Sequence, residues 1–170
     1  MVAAACTSSR ARAALTCMEP SDPVPGRRIK NWLPAVLWAA LIFFFSSDTF
    51  AGENTGRLLG PLLRYFLPHL SDGAVEWINL ALRKLGHFSE YFVLAVLLGH
   101  ALREEPTRRR AAIVLALTAL YAVSDELHQM FVPSRTASLG DIAIDIVGGF
   151  CGILWAHRRR HKSTKLGKYA

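Results

Sequence analysis

The stretch Ser124–Arg135, SDELHQMFVPSR, sets two adjacent carboxylates, a histidine and a glutamine at the end of an apolar run that begins at Ala111. Ionisable groups inside a membrane span cost roughly 2.5 to 3.5 kcal/mol each on insertion scales, so such a cluster marks a functional site by default. Two other segments carry groups of the same kind. KLGHFSEY places Lys84, His87 and Glu90 at three-residue intervals, with Tyr91 continuing their helical face, and GDIAIDIVGG places Asp141 and Asp145 four apart. A histidine beside carboxylates can act as general base or nucleophile while a carboxylate orients the imidazole. Arg135 offers a planar fork suited to a phosphate oxygen. The sequence therefore nominates His87 and Glu90 as an acid/base or nucleophile pair and Asp125 and Glu126 as orienting or metal-binding carboxylates. Lys84, Tyr91, Gln129, Arg135, Asp141 and Asp145 are nominated as substrate contacts.

The elements that must position these groups are apolar runs. The chain has 170 residues, about one domain, and is 52% hydrophobic. The runs Trp32–Ser47, Leu85–Leu102, Ala111–Ser124 (continuing toward Val132) and Leu139–Ala156 approach the roughly 17 to 25 residues of a spanning helix. Four spans is the simplest reading. The basic residues support it, because Lys and Arg accumulate on cytoplasmic loops. With the amino end inside, fifteen basic residues are cytoplasmic: Arg10, Arg12, Arg27, Arg28 and Lys30, then Arg103 and Arg108 to Arg110, then Arg158, Arg159, Arg160, Lys162, Lys165 and Lys168. Five are outside, namely Arg57, Arg64, Arg83, Lys84 and Arg135. The net charge of +7 then belongs to a basic rim facing anionic headgroups, and its division among three segments without a reading motif argues against nucleic acid as a partner.

The expected architecture is all-α: about four transmembrane helices plus a short interfacial helical segment between the first and second. RLLGPLLRYFLPHL (Arg57–Leu70) suits the interfacial piece, and VEWINLALRKLGHF should run straight into the second span, with Ser71 or Asp72 as its N-cap. Residues 1–30 read as a disordered cytoplasmic leader or an upstream start, 31–156 as the transmembrane domain and 157–170 as a basic cytoplasmic tail. Extended alternation is absent, which speaks against a transmembrane β-barrel. Depth ties the site to this topology. Asp125 lies about 21 Å along a helix from Ala111, in the outer third of a roughly 30 Å core. Lys84, His87, Glu90, Asp141 and Asp145 fall near the outer ends of their own helices.

Some residues have simpler uses. Lys84 could snorkel at the interface, and His128 could face headgroups without a task. Asp125 and Glu126 stand about 100° apart on a helix, so one of them could cap a helix or pair with Arg135 instead of entering the site. Gly148 and Gly152 read as a close helix contact. His100, His157 and His161 lie at the other end, and no function is assigned to them. Cys6, Cys17 and Cys151 form neither a disulfide framework nor a zinc pattern.

The three segments KLGHFSEY, SDELHQMFVPSR and GDIAIDIVGG, in this order, resemble the VanZ-like family, named for a protein linked to teicoplanin resistance. The likeness covers roughly Trp32 to Trp155. Residue by residue, the family's Lys, His and Glu correspond to Lys84, His87 and Glu90, its Asp-Glu and Gln to Asp125, Glu126 and Gln129, its loop Arg to Arg135, and its paired Asp to Asp141 and Asp145. The resemblance implies a multi-pass protein of the bacterial cytoplasmic membrane, both termini inside, with a link to glycopeptide tolerance. Together with the site, it points to action on a phosphate-containing lipid headgroup or lipid-linked envelope precursor. The readings from other classes are a transporter or flippase component and a non-catalytic envelope scaffold. No organic cofactor is expected; a divalent metal on the carboxylates stays open.

Overall fold

The computed structural model describes residues 25–47, 60–133 and 137–166, and within them every regular element is helical. α1 is Pro25–Phe45, α2 covers 60–66, α3 is Asp72–Ala101, α4 is Thr107–Gln129 and α5 is Leu139–Leu166. The 30 residues of α3 form one helix, as the pattern from Val75 onward predicts, and Ser71 caps it by accepting the Ala74 N–H at 3.3 Å. α2 is the described part of the expected interfacial segment, tied to the start of α3 by an exposed Arg64–Asp72 ion pair.

Side-chain pairings fix the direction of each long helix. On α3 and α5, Lys84 meets Asp141, His87 meets Asp145 and Gly99 meets Arg160, so the residue numbers rise together and the two helices run parallel. On α1 and α4, Ala39 meets Tyr121, Phe43 stacks on His128 and Ser46 meets Gln129, again in parallel. The short connection 102–106 turns α4 back against α3. The four long helices thus alternate up, down, up and down. The broadest contact is α3 with α5, followed by α4 with α5.

The distribution of polarity is that of a lipid-facing bundle. Leu33, Val36, Leu37, Leu120, Val123, Leu127, Val147, Phe150 and Leu154 are exposed, whereas Ser46, His87, Thr118, Asp125, Glu126, Gln129, Asp141 and Asp145 are buried. Water would reverse that arrangement; hydrocarbon favours it. α4, and α5 from Leu139 to Arg160, are long and apolar enough to cross a membrane. The apolar part of α1, Ile29–Phe45, is shorter, and α3 carries Arg83, Lys84, His87 and Glu90 in its middle. Of four expected spans, length and apolarity alone identify two: α1 falls short in apolar length, and α3 is interrupted by its charged and polar residues.

Candidate functional site

α3 and α5 come close because α5 has no side chain where they touch. A Cβ at Gly148 would fall on the Phe88 carbonyl, and one at Gly152 would stand 2.5 Å from the Phe92 oxygen. Small residues of this kind let helix backbones approach within a membrane. Asp145 precedes Gly148 by three residues and Asp141 precedes it by seven, so all three lie on the same stripe. The carboxylates are thereby delivered to α3.

There His87 Nδ1 lies 3.2 Å from Asp145 Oδ1, with both residues buried. An Nδ1–H donated to that carboxylate fixes the tautomer and leaves the Nε2 lone pair for chemistry. One turn toward the N-terminal ends of α3 and α5, Asp141 accepts from Lys84 Nζ and, at 3.2 Å, from Arg83. α4 supplies the adjacent carboxylates, which serve different neighbours. Asp125 accepts from Gln129 Nε2 at 3.1 Å, and Gln129 reaches Ser46, just past the end of α1, at 3.4 Å. Glu126 turns to α5, where Oε2 accepts the Ser138 backbone N–H at 2.7 Å and so caps the approach to that helix. Both acids are buried. The 100° between them is used rather than wasted.

Electrostatically this is one cluster: Glu126 lies in the field of Asp141, His87 and Asp145, and Tyr91 in that of Asp125 and Asp145. Among the described residues, the buried side-chain polar atoms without a hydrogen-bond partner are Arg83 Nε, Tyr91 Oη, Asp125 Oδ1, Glu126 Oε1, Gln129 Oε1 and Asp145 Oδ2. Every one belongs to this cluster. Each such atom costs about 1–3 kcal/mol, more when charged, so their concentration at one place makes this cluster the candidate site.

The structure brings together Lys84, His87, Tyr91, Asp125, Glu126, Gln129, Asp141 and Asp145. Arg135 lies outside the described residues. Glu90 is half-buried, and its backbone carbonyl accepts the Trp38 indole N–H at 2.9 Å. The carboxylate bonded to His87 is Asp145, 58 residues away. Arg83 and Ser46 are additions that the sequence reading did not nominate. Arg83 had been counted only as a loop charge, although its position beside Lys84 was a signal; nothing in the pair Ser46-Ser47 singles out the first. His128 is half-buried and stacked on Phe43 with ring centroids 4.2 Å apart. For a metal, the best set is His87, Glu126 and Asp141, each offering one ligand atom within 4.8 Å of the others. Lys84 and Arg83 compete for Asp141 there.

These features define a helical bundle of membrane type with a buried ionisable site at one end, built from the same three segments that suggested it. The chain matches the VanZ/LLP1 family over residues 31–160 and belongs to that family. No curated protein and no solved structure matches it.

Proposed function

We propose that this VanZ-like protein is a membrane-embedded hydrolase or transferase acting at the phosphate ester of a lipid headgroup or lipid-linked envelope precursor. The buried His87–Asp145 pair beside Arg83 and Lys84 carries the reading. His87 Nε2 takes the proton of the attacking water or hydroxyl as oxygen bonds to phosphorus, then returns it to the departing oxygen. Asp145 holds the imidazole, and Glu90, one turn further along α3, adds its negative charge to the field at His87. Arg83 and Lys84, about one-third exposed, together with Arg135, meet the phosphate charge. Asp125 and Glu126 orient these groups, and Glu126 is a candidate metal ligand. The test is to incubate purified protein with phospholipids and polyprenyl-linked precursors, with and without chelator, and to read products by mass spectrometry. Release of a headgroup or free lipid alcohol is expected. Proton or ion flux in proteoliposomes without product would favour a transporter, to which the orphaned buried carboxylate oxygens also lend themselves. Any glycopeptide tolerance conferred on cells should disappear with the same variants that abolish turnover.

The alternation of the four long helices, together with the division of the basic residues, supports four spans with both termini in the cytoplasm and the site in the outer leaflet. In a background with Cys6, Cys17 and Cys151 changed to serine, single cysteines at Glu53 and Ser134 should react with an impermeant reagent applied to intact cells. One at Thr107 should stay unlabelled until the cells are opened. Labelling of Thr107 in intact cells would move the site to the inner leaflet.

A further inference from the structure

The opposite end of the bundle holds a second site of different character. A cavity of about 280 Å³ lies between α3, α4 and α5, close in size to the smaller ligand pockets of proteins. It exists because the helices carry small residues there: Ala95 and Gly99 on α3, Ala111 on α4, Ala156 on α5. Val114, Phe150, Ile153 and Leu154 make its other walls apolar. Its rim is cationic, formed by Arg108 and Arg110 at the start of α4 and His157 and Arg160 near the end of α5, and no carboxylate lines it. The α4 N-terminus adds to the positive field, since Pro106 at its N-cap makes no side-chain cap bond and its first turn contains no acid.

We propose that this cavity binds one anionic phospholipid, its phosphate on the arginine rim and the upper part of an acyl chain among the small residues. Charge complementarity selects the headgroup. Two guanidinium groups are already aimed by backbone bonds, Arg110 to the Arg103 carbonyl at 3.3 Å and Arg160 to the Gly99 carbonyl at 3.4 Å. Arg110 also reaches Thr107 Oγ1 at 3.5 Å, and the planar, delocalised charge of a guanidinium suits a phosphate. The apolar walls select an amphiphile over a free anion, because a bare phosphate would leave them unused. Basic pockets between helices on the cytoplasmic side suit such lipids, and the basic-residue division assigns this end to that side. A lipid seated here bridges the ends of α3, α4 and α5, the same helices that carry the ionisable cluster at the other end.

The test uses the full chain purified in detergent and native mass spectrometry with added phosphatidylglycerol or phosphatidylcholine. One phosphatidylglycerol per chain should be retained, at least tenfold in preference to phosphatidylcholine. Combined Arg108→Gln, Arg110→Gln and Arg160→Gln substitutions should remove that preference. Gly99→Leu should also abolish retention with every charge in place; the added Cβ meets no atom within 4 Å, so the helix tolerates it while the side chain fills the cavity. Millimolar inorganic phosphate should not displace the lipid. Equal retention of the two lipids, unchanged binding in Gly99→Leu, or displacement by phosphate would each overturn the proposal.

Discussion

Changing Asp145 to asparagine is expected to lower turnover of a lipid phosphate substrate by about 10²- to 10⁴-fold, the range in which a misdirected histidine base fails, while membrane abundance stays near wild type. The reasoning starts from shape. Asparagine fits where Asp145 sits and can still bond His87, but its amide can present N–H₂ toward Nδ1, which reverses the tautomer and takes the lone pair from Nε2. The lost charge also removes what stabilises the imidazolium formed during proton transfer. Stability should move little, because a buried carboxylate with one orphaned oxygen is expensive, and replacing it with a neutral group of the same size relieves part of that cost. Glu90→Gln and Asp125→Asn should follow the same pattern of retained protein and lost turnover. A structural role gives the opposite signature, with abundance falling in proportion to activity. Full activity in these carboxamide variants, or their disappearance from the membrane, would replace the enzyme reading with a scaffold.

Much of this site was legible because charge inside an apolar run is a strong signal in a single sequence. Lys84, His87, Asp125, Glu126, Asp141 and Asp145 each stand out where hydrocarbon would exclude them, and counting residues from the helix ends brings them to a common depth. Pairing was not legible in the same way. Which carboxylate bonds His87 depends on the rotation and register of α5 against α3, and those follow from the backbone approach at Gly148 and Gly152. Spacing along α3 pointed to Glu90, three residues away; the contact between helices presents Asp145 instead. Arg83 was missed for a related reason. A basic residue just before an apolar run counts equally well as a loop charge, and only the position of Asp141 draws it into the cluster. The span count has the same origin, since the polar groups that make α3 informative also lower its apolarity as a membrane crossing.

Gly148 is where that dependence can be tested most severely. Gly148→Ala is expected to destabilise the bundle by about 1–3 kcal/mol, the usual cost of overpacking, and to abolish turnover as well. The obstacle to the new methyl is the Phe88 carbonyl, part of a helix backbone that cannot move without displacing its whole turn. Gly152→Ala meets the Phe92 carbonyl in the same manner and should behave alike. At Gly149 the nearest atom is the Thr118 methyl at 2.5 Å, on a buried, β-branched side chain held by its hydroxyl bond to the Val114 carbonyl, so Gly149→Ala should destabilise as well. Gly86 meets nothing within 4 Å, and alanine there should be neutral or stabilising by up to about 1 kcal/mol through helix propensity. Thermal unfolding in detergent, read by loss of helical signal, gives the ranking. Gly148 lies three residues beyond Asp145, so separating α5 from α3 there also opens the His87–Asp145 contact. Gly148→Ala should therefore lose stability and turnover together, where Asp145→Asn loses turnover alone. If Gly148→Ala proved as stable and active as Gly86→Ala, the close α3–α5 contact would not be what holds the site together.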